Sequence, residues 1–470
     1  MKEFLLPIYG FLDPLFLIYF AIINVIYIVL YLFGSIRTFF RMREIRREDF
    51  KVILRSNSLP EISFIVPAYN EFENIMTTVN CLLSLTYRYK QIIIVNDGSE
   101  DETLNLLKYK LDLVSIPKYY EDKLPTKPIR GVYQSRLYPD ITVIDKVNGQ
   151  KFDALNAGLN VCRNDYFCNI DSDTFIDDEG FNALIRPILS SPENVSISAT
   201  VRIKNGCDVN YNTISTEPFP NNYLATMQAI EYMRSALMRA GWDYAGGNYG
   251  FSGAFSCFLK DVVVEAGGFA PTFTNDLEIV IRLQRVLKDK KVAFNIIYLP
   301  DPVSWTEGPR TLKALGKQRS IWQRGELESL WFHKRLFFNP KYKAFGLFVY
   351  PFLLLGEAIE PLVEIFAYIY IIVGLIVGIV NPNFILLFLA VTLGLIFVGT
   401  LFCLIIEELS FRKYSTKSLL YLFFYSLIEN FGYRQITLFW RARGTIDFFE
   451  KFGKIRKKSR AINRFINTIE

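Results

Sequence analysis

Asp171-Ser172-Asp173 closes the apolar run Tyr166-Phe167-Cys168-Asn169-Ile170. Two apart on extended backbone, the two carboxylates leave the same face of the chain. Such a pair can hold a divalent cation that shares its coordination with a substrate's phosphates. The cation would neutralise charge growing on a leaving diphosphate. Asp97 closes a second run, Gln91-Ile92-Ile93-Ile94-Val95-Asn96, and precedes Gly98-Ser99. Its carboxylate is suited to a base or ribose, and Gly98 allows a sharp turn. Pro67-Ala68-Tyr69-Asn70-Glu71 ends another run and opens a helix, where N–H groups and small polar side chains can grip a nucleotide. A plain strand-to-helix turn capped by Asn70 fits the same residues. Lys151, ahead of Ala154-Leu155-Asn156-Ala157-Gly158, brings a cation to a helix start, a fair place for diphosphate.

Asp276, in Thr274-Asn275-Asp276-Leu277-Glu278, is either a helix cap or a general base that takes a proton from an acceptor hydroxyl. Ser252-Gly253-Ala254 precedes an apolar run and would let an acceptor approach the backbone. In Gln318-Arg319-Ser320-Ile321-Trp322-Gln323-Arg324-Gly325, Trp322 can stack on a sugar ring, and Arg319 and Arg324 can fork onto phosphate oxygens. An interfacial aromatic with snorkelling arginines is the competing reading of that helix.

These residues need strands to end at a common edge. Strands are expected at 62–66, 91–96, 141–145, 166–170, 195–203, 254–259 and 292–298, with helices at 71–85, 153–162 and 278–287. This alternation predicts an α/β domain over 60–310 with a mostly parallel sheet flanked by helices. The Pro- and Tyr-rich stretch 116–139 reads as a surface loop.

The chain has 470 residues, of which 51% are hydrophobic, and its mean hydropathy is +0.20. That is more apolar than a soluble enzyme needs, so part of the excess should face lipid. Residues 1–36 read as a transmembrane anchor, and 37–59 as a basic cytosolic linker bearing Arg37, Arg41, Arg43, Arg46, Arg47 and Lys51. Acceptor-site and interfacial helices are expected at 311–356, with Ala344–Gly356 on the membrane surface. A transmembrane region follows at 357–440, its clear spans being 358–380 and 384–406. Asn430, Arg434 and Gln435 interrupt 418–440, which predicts a bent, interfacial or re-entrant segment. The tail 441–470 is basic, so the catalytic part should face the cytoplasm of a multi-pass protein in the plasma membrane. Six unclustered cysteines fit a reducing compartment, and the single histidine excludes histidine metal clusters and His-based triads. The basic segments read as membrane anchors and not as a nucleic-acid surface.

In sequence order Asn70, Asp97, Lys151, Asp171/Asp173, Asp276 and Gln318…Trp322 resemble the motifs of membrane-embedded family 2 glycosyltransferases, including cellulose, hyaluronan and poly-N-acetylglucosamine synthases. The resemblance implies a GT-A fold, a UDP-sugar donor, Mg²⁺ or Mn²⁺, and inversion at the anomeric carbon. It assigns Pro67, Tyr69, Asn70, Glu71 and Asp97 to the uridine, and Lys151 to the diphosphate. Asp171 would lie near the donor, Asp173 would ligate the metal, and Asp276 would be the base. Ser252, Gly253, Gln318, Arg319, Trp322 and Arg324 would meet the glycan acceptor. Two positions depart from the pattern. Asn275 stands for an acid, and Ile321 stands where the family has an arginine for the leaving diphosphate. On a helix Arg319 and Arg324 project about 200° and 300° away from position 321.

Glu357, Glu360 and Glu364 share one helix face at the start of the next span. They read either as the border of a polar conduit or as partners of bases such as Arg335 or Lys341. The expected function is processive synthesis and translocation of a β-linked polysaccharide. The alternatives are single-sugar transfer to a lipid or other membrane acceptor, or a nucleotide-binding regulatory subunit. The sequence specifies no accessory subunit.

Overall fold

The structure, a computed structural model, describes residues 2–47, 59–207, 209–210, 213–214, 222–247, 249–411 and 414–469. Of the expected basic linker, positions 48–58 lie outside the described residues, Lys51 included.

The strands are β1 (Ile62–Ala68), β2 (Lys90–Asn96), β3 (Leu113–Ile116), β4 (Ile129–Ser135), β5 (Ile141–Lys146) and β6 (Tyr166–Ile170). They continue with β7 (Phe175–Ile176), β8 (Asn194–Ile203), a small ribbon of β9 (Val209–Asn210) and β10 (Thr213–Ile214), β11 (Phe255–Leu259) and β12 (Asn295–Thr306). The main sheet runs β3-β4-β5-β2-β1-β6-β11-β8-β12-β7. The expected parallel run β5-β2-β1-β6 forms its centre. β11 runs antiparallel between β6 and β8, which makes the sheet mixed. Alternation along β1 and β2 sends Phe64, Val66, Ile92 and Ile94 to one face, where α2 (Ile75–Ser84), α3 (Thr103–Lys110) and α5 (Asp178–Ser190) pack. Ile65, Ile93 and Val95 go to the other, under α4 (Lys151–Val161), α7 (Lys260–Glu265) and α8 (Asn275–Asp289). Burial on both faces explains why these strands read as unbroken apolar runs.

The expected loop 116–139 contains strand β4, paired with β3 and β5. Pro117, Pro125, Pro128 and Pro139 lie outside the strand and mask it, and Val132 is its one deeply buried apolar side chain.

α1 (Lys2–Arg47) does not stop at a membrane boundary but runs on against α6 (Tyr223–Tyr244). Glycines let the two backbones touch: a Cβ on Gly34 would lie 2.1 Å from the Leu237 carbonyl oxygen, and one on Gly241 2.1 Å from that of Leu30. Arg37 then donates to Asp243 at 2.9 Å and Arg41 to Asp301 at 2.8 Å. These two arginines, expected as membrane-flanking anchors, are therefore held inside the α/β domain.

After α9 (Leu312–Phe332) an irregular helical stretch, 345–358, leads to α10 (Glu360–Val377), α11 (Pro382–Leu409), α12 (Thr416–Ile428), α13 (Tyr433–Glu450) and α14 (Phe452–Ile469). α1, α10 and α11 are the helices long and apolar enough to cross a membrane among the described residues. The segment expected to lie on the membrane surface is instead largely buried. Phe352 packs on Tyr27 and Trp242, and the Tyr350 hydroxyl donates to the Leu330 carbonyl. The stretch 418–440 breaks into two helices at Gly432, whose φ of +95° ends α12's direction and whose N–H is capped by Gln435 at 2.7 Å.

Candidate active site

Because β1, β2 and β6 are parallel neighbours, their carboxyl ends bring Asn70, Asp97 and Asp171 to one edge, where open α/β sheets bind ligands. Antiparallel β11 delivers Ser252-Gly253-Ala254 to that edge, with the Asp171 N–H on the Ala254 carbonyl at 3.4 Å. The N-termini of α4 and α8 add Lys151 and Asp276.

Asn70 is not a helix cap. It sits at φ +57°, donates its N–H to Ser99 at 3.0 Å and accepts from the Glu100 N–H at 2.8 Å, tying the loops after β1 and β2 together. Asp97 is buried, and its Oδ1 takes the Lys146 ammonium at 2.6 Å and the Gly149 N–H at 3.0 Å. This fixes the loop that presents Lys151. Lys151 pairs with Asp171 and reaches the Gly253 carbonyl at 3.3 Å. Pro67 lies within β1, Tyr69 is exposed, and Glu71 accepts from Asn74 at 3.2 Å.

Burial and the neighbouring Asp171 push Asp173 up to about 6, with Lys204 acting the other way. Lys204, which sequence reasoning passed over, donates to the Asp173 carbonyl at 2.5 Å. Burial alone would lower the Lys151 ammonium, but Asp171, backed by Asp276 and Asp173, holds it above its usual value. Burial also raises Asp276 above the ordinary carboxylate range, against Lys151, the Leu277 N–H and Arg239. A raised carboxyl suits a base working near neutral pH. Gly253 faces it directly, since a Cβ there would lie 3.2 Å from Asp276 Oδ2. Asn275, at the position where the resemblance expects an acid, donates to the Ala270 and Thr272 carbonyls at 2.9 Å each and shapes the loop before Asp276.

Among the described residues no three acidic, histidine or cysteine side chains form a complete metal cage. A carboxylate raised by a neighbouring carboxylate, with Lys151 drawn toward the pair, is nonetheless the donor set a hard cation fits when phosphates complete its shell.

α9, whose Gly325 packs closely on Thr274 two residues before Asp276, also lines a cavity of about 360 Å³, with Trp322, Arg319, Glu231, Glu326, Glu357 and Arg441 on its wall. Trp322 carries the Arg319 guanidinium 4.9 Å above its ring. Arg319 pairs with Glu231, which also accepts from the Tyr433 hydroxyl at 3.0 Å. Gln318 keeps a buried, unpartnered Oε1, and Ser252 a buried, unpartnered hydroxyl. Arg324 does not reach this cavity. It binds Glu328 at 2.8 Å and lies 4.5 Å over Phe273. Neither arginine is therefore available in place of Ile321.

Glu360 and Glu364 pair with Arg434, and Arg441 lies 3.6 Å from Glu360. The suggested partners Arg335 and Lys341 bind Asp289 instead. The real partners come from α13, which folds back across α10 after the Gly432 break.

Residues 63–242 match the family described as Glycosyl transferase family 2, and residues 166–403 match Glycosyl transferase family group 2. Poly-beta-1,6-N-acetyl-D-glucosamine synthase of Staphylococcus aureus (strain COL) is 28% identical over 341 residues, 72% of this chain and 70% of that protein. The Staphylococcus epidermidis synthase of the same name is 27% identical over 318 residues, 67% of this chain and 66% of its own. Among solved structures, a mannosyltransferase from Pyrobaculum calidifontis in complex with GDP-Man and Mn²⁺ is 14% identical at a TM-score of 0.48, over 92% of this chain and 99% of that one.

Proposed function

The chain belongs to family 2 of the glycosyl transferases, and from that membership we propose a membrane-bound inverting enzyme that uses a UDP-sugar with Mg²⁺ or Mn²⁺. It extends a β-linked polysaccharide and passes it across the plasma membrane, its catalytic domain on the cytoplasmic side. N-acetylglucosamine, the sugar named in the 28% identical relatives, is the donor sugar to test first.

One juxtaposition carries this reading. Asp276, the acid pair and Lys151 share a sheet edge, and α9, packed on Thr274 beside Asp276, carries Trp322 into a cavity bordered by apolar helices. Pro67, Tyr69, Asn70, Glu71 and Asp97 frame the uridine. Lys151 turns from Asp171 to the diphosphate, and Asp171 remains beside the donor. Asp173 would hold the cation, which supplies positive charge to the leaving phosphates when bound. Ser252 and Gly253 border the acceptor, and Trp322 floors it with Gln318 and Arg319 on the same helix. Asp276 accepts the proton of the attacking hydroxyl as its oxygen bonds to the anomeric carbon. The bond to the diphosphate breaks on the opposite face, which inverts the centre. The cavity, with Glu357 and Glu360 on its wall, is the start of the glycan's path.

The test uses purified protein in lipid nanodiscs with Mn²⁺ or Mg²⁺, a panel of UDP-sugars, and Asp276→Asn as control. UDP release from one donor, lost in the variant and accompanied by high-mass glycan, is expected. A single sugar added to lipid would overturn the polymerase reading, and UDP binding without release from any donor would overturn the catalytic one.

A further inference from the structure

The arginines of α6, α8 and α9 have carboxylate partners, with one exception. Arg234 pairs with Glu429, Arg282 with Glu278, Arg285 with Asp289, Arg319 with Glu231 and Arg324 with Glu328. Arg239 of α6 has no ion pair among the described residues. Its Nε is buried without a hydrogen-bond partner, and its guanidinium lies 4.3 Å over the Phe251 ring. The guanidinium is partly exposed and donates to the Tyr298 hydroxyl, which leaves Nε as its unmet donor, one that a ligand can satisfy where the fold does not.

Its surroundings say which ligand. Phe251 leads directly into Ser252-Gly253, and Gly253 abuts Asp276. Asp276 likewise has no ion pair among the described residues, although the charges of Lys151 from α4 and Arg239 from α6 both act on it. The Arg239 charge also acts on Tyr232, Tyr249, Tyr298 and Glu357, of which Glu357 lines the cavity. The charges that offset Asp173 are those of Lys204 and Lys151, so the diphosphate end has its own cations. Arg239 acts instead on Asp276 and on Glu357 of the cavity wall.

We propose that Arg239 orients the acceptor: its guanidinium donates to oxygens of the terminal acceptor sugar and turns the attacking hydroxyl toward Asp276. This inference rests on the function proposed above. In the step, the acceptor O–H bond breaks and its proton passes to Asp276. The oxygen bonds to the anomeric carbon, and the bonding pair of the broken C–O bond leaves on the diphosphate. Arg239 keeps its protons throughout.

The experiment compares wild type, Arg239→Gln and Arg239→Lys, full-length in nanodiscs, by UDP binding, UDP release and sugar incorporated per UDP released. A charge-assisted contact to the acceptor predicts an incorporation ratio about ten- to a hundred-fold lower in Arg239→Gln. UDP binding should stay within about twofold, release to water should persist, and Arg239→Lys should recover part of the ratio. If the Gln variant loses UDP binding, the Lys variant alone decides through its ratio. An unchanged ratio, or binding and release falling together with incorporation in both variants, would overturn the inference while leaving the enzyme's function standing. A wild type that releases UDP from no donor overturns the functional reading, and this inference with it.

Discussion

Replacing Gly253 by alanine displaces Asp276, the proposed base, without touching its chemistry. The added methyl would lie 3.2 Å from Asp276 Oδ2 and 3.8 Å from its Cγ, with no other neighbour within 4 Å. The backbone there is not left-handed, so alanine adopts it freely. Ordinary contact between such atoms is nearer 3.4–4 Å, so the carboxylate must retreat by a few tenths of an ångström. A displacement of about 1 Å costs roughly a hundred-fold in rate. Scaled to a few tenths, the loss is about three- to fivefold, or about 0.7–1 kcal/mol of barrier. The entropic gain of alanine, about 0.4–1 kcal/mol, offsets the crowding, so the thermal midpoint should hold within about 2 °C. UDP release at saturating donor, read beside thermal unfolding, measures both. An unchanged kcat would refute the placement of Asp276 as base, because the methyl meets nothing else.

Three further outcomes are expected. Burial would raise the Glu278 carboxyl, but Arg282 and His333 bring it to about 2 from an ordinary 4.5. Its folded value is depressed, so it contributes stability above pH 4.5 that is lost as pH falls toward 2. About 3 kcal/mol of acid sensitivity should shrink in Glu278→Gln, as read by denaturant midpoints at pH 6 and pH 3. Asp173 has the opposite sign. Raised to about 6, it favours the fold below its ordinary 3.8 and loses that contribution as pH rises through 6, leaving an ionised carboxylate that a cation relieves. The gain in thermal midpoint from Mn²⁺ with UDP should therefore be larger at pH 7.5 than at pH 5.5, and absent in Asp173→Asn. Gly241→Ala places a methyl 2.1 Å from the Leu30 carbonyl oxygen. It should destabilise by about 1–3 kcal/mol or more, seen as a lower midpoint with near-normal UDP affinity in the folded fraction.

What could be read from the sequence was whatever ends a local pattern. Asp171 and Asp97 stand where apolar runs break, so both the strand and its terminal carboxylate are visible in one segment. The doubly buried core strands were readable for the same reason, while β4, with one deeply buried apolar side chain, gave no such signal. Partnerships were not legible. Nothing local to Arg41 points to Asp301, 260 residues away, and nothing near Glu364 points to Arg434 across the Gly432 break. Helix α6 was missed because it is apolar and polar around most of its circumference, packed on one side by α1 and open to the cavity on the other. Its Glu231 and Arg239 emerge only when the helices come together. The Asn222 cap, which accepts from the Leu224 and Ala225 N–H groups, was the available sign of its start.

The continuous α1 helix has a mechanical consequence. Its 46 residues span about 69 Å, more than twice a hydrocarbon core of about 30 Å. The far end is bolted to α6 by backbone contact and to the sheet domain through Asp243 and Asp301. In the proposed membrane setting it acts as a lever whose short arm is gripped by lipid and whose long arm carries the active site. A tilt of 10° about the membrane edge would swing the far end by about 6–7 Å, given the rise per residue. Bilayer thickness, which sets helix tilt, would thereby set the height and attitude of the catalytic domain over the membrane surface.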